Sequence, residues 1–301
     1  MIGKENLADK VKSIEACEKC RDVQIKKFSP LKDLIDFDEL DSDYMRCECG
    51  KRPLDVVMSH ILKIMIEEKI VKENATLRRN SPIPLSGFYY SSLNPQFIGR
   101  DMLILVHPDF TKKVALRVMD EVPEVRGVLK GSGRDVVGQF DRDSDINHFE
   151  LLAGDDTQTN VMRTLLGEKI ILTKSQSKQH IEVAMTTEEK LVRLHNYLKN
   201  NNIKKGIAID GMCGCGALGI YLLKYGFEKV IFNDIYGEAI KSLKNNLELN
   251  EIYEGYEIFN EAFEDLEVEH ADLCVIDAYP GADISEIQKK AEKVADNVVI
   301  I

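Results

Sequence analysis

No arginine occurs between Gly206 and Ile301, where 7 lysines face 19 acidic residues, while the first 205 residues carry 33 basic and 32 acidic side chains. Phosphate recognition draws on arginine and lysine, so the last third of the chain is excluded as a phosphate-gripping surface. Any such role falls to the first two thirds. A formal net charge of -11 excludes tight nonspecific binding to nucleic acid and leaves room for a structured RNA on a local patch. No apolar run reaches the ~18 residues that span a bilayer. The start, Met1-Ile2-Gly3-Lys4-Glu5-Asn6, lacks the apolar core of a signal peptide. A cytoplasmic location and no membrane partner are expected. There is no internal repeat and no low-complexity tract. Hydrophobic content of 44% with 30% charged residues describes a globular protein, and 301 residues suffice for two domains.

What is present begins with an apolar strand, Ile207-Ala208-Ile209-Asp210. It runs into the turn Gly211-Met212-Cys213-Gly214-Cys215-Gly216, which opens a helix over Ala217 to Tyr225. A second strand, Val230 to Ile235, carries Asp234 at its carboxyl end. Glycines let the backbone approach a ligand, the helix start offers free N–H groups, and a carboxylate there can accept both hydroxyls of a ribose. A glycine-rich turn alone is weak evidence, and Gly214, Gly216 and Gly219 keep the G-x-G-x-x-G spacing that a dinucleotide site also uses. No phosphate-binding lysine follows, so a P-loop is excluded.

The remaining pattern, D-x-x-x-G-x-G followed by an acidic residue, resembles motifs I and II of class I S-adenosylmethionine-dependent methyltransferases. Asn233-Asp234-Ile235 and the helix Glu238 to Leu249, ending in Asn245-Asn246-Leu247-Glu248-Leu249-Asn250, resemble tRNA (guanine) dimethyltransferases and archaeal tRNA methyltransferases. A third strand, Tyr256 to Phe259, delivers Asn260-Glu261-Ala262. A fourth, Asp272 to Ile276, delivers Asp277-Ala278-Tyr279-Pro280-Gly281. These resemble motifs III and IV. The resemblance covers residues 206 to 301 and implies a Rossmann-like α/β domain. In it Asp210, Met212, Cys213, Gly214, Gly216, Asp234, Ile235, Asn260, Glu261 and Ala262 hold S-adenosylmethionine, and Asp277, Tyr279 and Pro280 face the acceptor.

Motif IV departs from the N/D-P-P-Y/F form of the amino-methylating members, because carboxylate, ring and proline come in another order. If the acceptor is an amine, Asp277 accepts its N–H and Tyr279 stacks on it. Otherwise Asp277 caps the strand and Tyr279 packs. In-line methyl transfer needs positioning more than a base, so His107, His148, His180 and His270 read as structural. Structured RNA, as tRNA, is the first substrate expected. A small metabolite, a cofactor precursor or a protein side chain is the alternative, and binding of S-adenosylmethionine without catalysis is a third.

Cys17-x-x-Cys20 and Cys47-x-Cys49 supply the four thiolates of a tetrahedral metal knot, with zinc ahead of an iron–sulfur cluster or free thiols. Cys213, Cys215 and Cys274 read as small packing residues. The knot belongs to an α+β substrate-recognition domain spanning 1–165, ahead of a methyltransferase domain spanning 166–301. Expected there are a helix over residues 4–16, a helix from Pro53 to Lys72 with Val56, Val57, Ile61, Ile64 and Met65 inward, and a strand from Met102 to Val106. A helix from Phe110 to Met119 and a strand from Gly127 to Leu129 follow. Glu168 to Thr173 and His180 to Ala184 read as a hairpin, and Thr186-Thr187-Glu188-Glu189 as a capping box for a helix ending near Lys199. Leu77-Arg78-Arg79-Asn80-Ser81-Pro82 and Arg126 to Arg134 read either as basic patches in loops or as ordinary solvated turns. Phe88, Tyr89 and Tyr90 are either stacking or core aromatics. Asn297 to Ile301 reads as a fifth strand; either the sheet is short or strands from residues 100 to 185 complete it, and an open edge is to be covered by the N-terminal part or by a second subunit in a homodimer.

Overall fold

The computed structural model describes residues 16–86, 96–132, 149–179, 184–278 and 283–301. The expected helix over 4–16 and the aromatics Phe88, Tyr89 and Tyr90 lie outside them, as do His148, His180, Tyr279 and Pro280. The described residues gather into two compact units, one comprising residues up to 158 with 175–178, the other 159–174 and 179–301.

In the first unit a short strand β1 (Arg52–Pro53) leads into helix α1 (Leu54–Glu67). Pro53 precedes the helix with the fixed φ of its ring, and Val56, Val57, Ile61, Ile64 and Met65 are all buried, as their spacing predicts. The helix stops five residues short of Lys72. Lys69 takes the left-handed conformation at φ 60°, its N–H reaching the Ile66 carbonyl and that of Ile70 the Met65 carbonyl. This closing turn is normally signalled by glycine, and a side chain there costs on the order of 1 kcal/mol. A short helix α2 (Leu77–Asn80) follows, so Arg78 and Arg79 lie on a helical turn rather than in a loop.

Strands β2 (Ile83–Ser86), β3 (Phe97–Ile98) and β4 (Leu103–His107) precede helix α3 (Lys112–Glu121), which Thr111 caps by accepting from the Val114 N–H. Strands β5 (Val125–Lys130) and β6 (Glu150–Gly154) complete a sheet ordered β2-β4-β5-β6, with its central pair parallel and the outer pairs antiparallel. Apolar faces of α1 and α3 cover it, Ile61, Met65, Val114 and Val118 meeting Leu103, Leu105 and Val128. The expected strand at 127–129 extends to residue 125. Arg126 therefore sits within a strand, paired with Asp155 at 2.7 Å.

The second unit takes most of strands β7 (Thr157–Arg163) and β8 (Lys169–Ser175), which pair with each other. The partner of β8 thus lies before it in the chain; of the expected second hairpin strand, residues 180–183 lie outside the described residues, and Ala184 begins helix α4 (Ala184–Asn201). Thr186 and Thr187 consequently fall inside α4 and cannot cap it, and Glu188 accepts instead from the Arg163 N–H at 2.9 Å.

Beyond α4 strand and helix alternate except between β11 and β12, which a 3-10 turn at Phe263–Asp265 joins: β9 (Ile207–Asp210), α5 (Ala217–Tyr225), β10 (Lys229–Asn233), α6 (Gly237–Leu249), β11 (Tyr256–Phe259), β12 (Leu273–Ile276), α7 (Ser285–Val294) and β13 (Val298–Ile300). The strands form one parallel sheet ordered β11-β10-β9-β12-β13. Among the described residues no sixth strand joins it, which selects the short-sheet alternative. Hairpin β7–β8 is instead docked by asparagine: Asn250 bonds both backbone groups of Ile171, and Asn246 both of Thr173. One helical turn on α6 thus matches two residues of strand, and two buried amides replace a missing β-ladder.

Candidate functional site

Every parallel strand delivers its carboxyl end to the same edge of the sheet, and the order turns back on itself at β9, between β10 and β12. Ligands in open α/β sheets bind at such a switch point. The predicted residues meet there. Asp210 ends β9, and Gly211 to Gly216 form the loop into α5. Asp234 and Ile235 follow β10, Asn260 to Ala262 follow β11, and Asp277 follows β12.

Close packing explains the loop's glycines. Gly214 and Gly216 have φ of 52° and 95°, the left-handed region in which a side chain is strained. A Cβ on Gly216 would fall 2.4 Å from Leu243, and one on Gly211 2.7 Å from Phe263 and Ile276. The loop is held from three sides: Gly211 donates to the Val275 carbonyl at 3.0 Å, Cys213 to the Asn233 carbonyl at 2.9 Å, and Gly214 to the Asp234 carboxylate at 2.7 Å. Cys213 and Cys274 are buried with their thiols pushed up by that burial, consistent with packing roles.

Asp234 carries both kinds of duty. One carboxylate oxygen accepts from Gly214, the other from the Tyr236 N–H at 2.8 Å, and each keeps a lone pair for a ligand hydroxyl. Burial raises its pKa. The neighbouring Ile235 is 73% exposed, an apolar face beside a hydrogen-bonding carboxylate. Asn260 donates to the carbonyls of Asp234 and Ile235 at 2.7 and 3.0 Å, so its side chain shapes the loop. Asn233, which sequence reasoning passed over, reaches the carbonyls of Gly211 and Glu261 from a fully buried position and ties three of the loops together.

Asp210 is fully buried. One oxygen accepts from the Gly219 N–H at 2.7 Å and the other has no partner among the described residues. Burial first, then the charges of Asp277 and Asp234, push its carboxyl up to about 8, against the pull of Gly219 and Lys190. Three carboxylates therefore crowd one loop with a single lysine among them. With Asp210 protonated at neutral pH and Asp277 paired with Lys190, the unneutralised charge at the loop is that of Asp234, which opposes a pyrophosphate. Asp277 Oδ2 accepts from Lys190 Nζ of α4 at 2.7 Å, a contact made across 87 residues of sequence that no local pattern announces.

Because the folded pKa of Asp210 is raised, the folded protein holds a proton that the unfolded chain releases between about pH 4 and pH 8. Stability from this group is present below that window and lost across it. Asp210→Asn keeps an acceptor for Gly219 and carries no charge, so its melting temperature relative to wild type, without cofactor, should climb steadily from pH 5 to pH 8.5. A difference independent of pH would show that Asp210 is not protonated in the folded state.

In the first unit Cys17, Cys20, Cys47 and Cys49 place their sulfurs within 4.8 Å of one another. Three pairs measure 3.7, 3.5 and 3.5 Å. A tetrahedral Zn–S4 group with ~2.3 Å bonds has edges of roughly 3.8 Å, so this donor set fits one. Arg46 braces the second pair, donating to the Gly50 carbonyl at 2.6 Å and pairing with Glu124 at 2.8 Å. Glu124 is itself gripped by both nitrogens of a fully buried Arg52. His107 lies at the end of β4 and His270 pairs with Asp296 at 2.8 Å, neither at the loop cluster.

Residues 184–284, about a third of the chain, match the model of the ribosomal protein L11 methyltransferase family (PrmA). No curated protein matches the sequence. Among solved structures, a Pyrococcus horikoshii protein described as a transferase aligns over 80% of this chain and 77% of its own, with a TM-score of 0.51 and 20% identity. TYW2 of the same organism, solved with MeSAdo, aligns over 80% and 78% with a TM-score of 0.48 and 19% identity. Trm5b of Pyrococcus abyssi aligns over 74% of this chain at 19% identity and a TM-score of 0.46, and the chain spans 60% of its length. With the strand order, the family match identifies the second unit as a class I methyltransferase fold.

Proposed function

We propose that the protein is an S-adenosylmethionine-dependent methyltransferase acting on RNA. The observation that carries the first half is the meeting of the glycine loop Gly211–Gly216 with the Asp234 carboxylate at the switch point of the parallel sheet, a site built for a nucleoside. When bound, S-adenosylmethionine supplies an electrophilic methyl group on a sulfonium. Asp234 holds its ribose, Ile235 packs on its adenine, and Gly214, Gly216 and the Asn260–Ala262 loop line the remaining cradle. Asp277, oriented by Lys190, accepts the acceptor's N–H and aims its lone pair.

The RNA half rests on the confinement of arginine to the first 205 residues and on the motif resemblance around Asn233-Asp234-Ile235. The four-cysteine cluster is proposed to hold a structural zinc in the domain that selects the substrate, on the strength of its sulfur spacing. Calorimetry with S-adenosylmethionine and, separately, NAD tests the cofactor. Micromolar binding of the first alone is expected, and preference for NAD would overturn the assignment.

Asp277→Ala should leave cofactor affinity within about twofold and lower methyl transfer by roughly two to four orders of magnitude, the usual scale for a positioned polar group at the reacting atom. Transfer at the wild-type rate would return Asp277 to capping β12. Lys190→Ala should lower transfer less, since the carboxylate remains.

A further inference from the structure

Lys69 is an odd residue with which to end a helix. It is exposed, it adopts the left-handed conformation that glycine would take without strain, and no described residue pairs with its ammonium. The turn it makes opens onto a cleft of about 1370 Å³ in the first unit, lined by the end of α1, by α2 and by the end of β4. Lys72 and Arg79 line the same cleft, both exposed and both without an acidic partner among the described residues.

The acidic lining is largely spoken for. Glu67 pairs with Arg117 and Lys63, and Glu73 with Lys32. Asp109 is the one lining carboxylate with no basic partner among the described residues. Between the cations, Ser81 Oγ is buried without a hydrogen-bond partner, and Asn80 spends its carbonyl on the Thr76 N–H, which leaves its amide N–H groups to donate. Unpaired cations beside a free amide donor, in a cleft whose lining also includes Phe37 and His107, describe a site for phosphate oxygens. The volume exceeds the ~300–1,000 Å³ usual for a small-molecule pocket, which suits a stretch of polymer.

We propose that this cleft binds the sugar–phosphate backbone of RNA, with Lys69, Lys72 and Arg79 on phosphates and the Asn80 amide donating beside them. The proposal rests on RNA being the substrate. It also accounts for Lys69: glycine there would relieve the backbone and lose a phosphate contact.

Fluorescence anisotropy with unfractionated tRNA, from about 50 to 300 mM KCl, tests it on the full-length protein. Lys69→Gly should melt higher than wild type and bind tRNA more weakly, a combination that a purely structural residue does not produce. The triple variant Lys69→Ala, Lys72→Ala, Arg79→Ala should bind at least tenfold more weakly at 100 mM salt. Its slope of log affinity against log salt should be shallower by roughly 2, at about 0.7–0.9 per phosphate contact. Lys289→Ala, on α7, should match wild type. Unchanged affinity and slope in the triple variant would overturn the proposal, as would equal competition by inorganic phosphate or AMP, which would make the cleft a small-anion site. Absence of tRNA binding by wild type would overturn it as well. S-adenosylmethionine calorimetry on the same samples keeps that failure distinct from failure of the methyltransferase reading.

Discussion

Asp234→Ala is expected to weaken S-adenosylmethionine binding by at least about a hundredfold in calorimetry, with the protein still folded. The carboxylate is asked to accept two ribose hydroxyls, and hydrogen bonds to a charged group are worth about 1.5–3 kcal/mol each, so their joint loss exceeds two factors of ten. The same side chain anchors the Gly214 N–H at 2.7 Å and the Tyr236 N–H at 2.8 Å, so alanine also frees the loop that cradles the ligand. Asp234→Asn separates the two effects. It can keep one backbone acceptor and loses the negative charge, and should fall between wild type and alanine. Cofactor binding at wild-type strength by Asp234→Ala would mean that the ribose sits elsewhere.

The second large effect concerns the four cysteines. Between residues 16 and 51, Leu31 and Leu40 are the only fully buried apolar side chains. A segment of this length with so little core does not hold a fold by burial alone. The purified protein should carry one zinc per chain by atomic emission. Cys47→Ser, or stripping with a chelator, should unfold the segment, since structural zinc contributes on the order of 10 kcal/mol to such sites. Protease sensitivity confined to residues before α1 would report it, with the methyltransferase unit still binding cofactor. Visible absorbance from iron would replace zinc by a cluster. Metal-free protein indifferent to Cys47→Ser would leave four reduced thiols with no structural role.

The segments that were legible in the sequence share a physical property: their signals are local. The strand–glycine–helix passage from Ile207 to Tyr225 declares itself because backbone hydrogen bonds and left-handed turns depend on a few adjacent residues. Helix α5 begins and ends at the predicted positions, and β11 matches in full, since glycines and apolar runs mark both ends. Helix α1 shows the same rule failing. Its inward face follows from the 3.6-residue period, but its end does not, because Lys69 occupies a conformation that residue type alone argues against.

Determined by the sequence alone were the order of strand and helix from β9 onward, the acidic residues at strand ends, and the separation of arginine from that region. Those follow from periodicity, turn chemistry and counting. Only the tertiary structure decided which distant groups meet: Lys190 with Asp277, Asn246 and Asn250 with β8, Arg46 and Arg52 with Glu124, and Lys69, Lys72 and Arg79 around one cleft. Such pairs are joined by packing of whole elements, and no rule of short-range spacing carries information across tens of residues. The field around Asp210 belongs to the same class, since three carboxylates drawn from three different strand ends acquire a shared electrostatics only when the sheet brings those ends together.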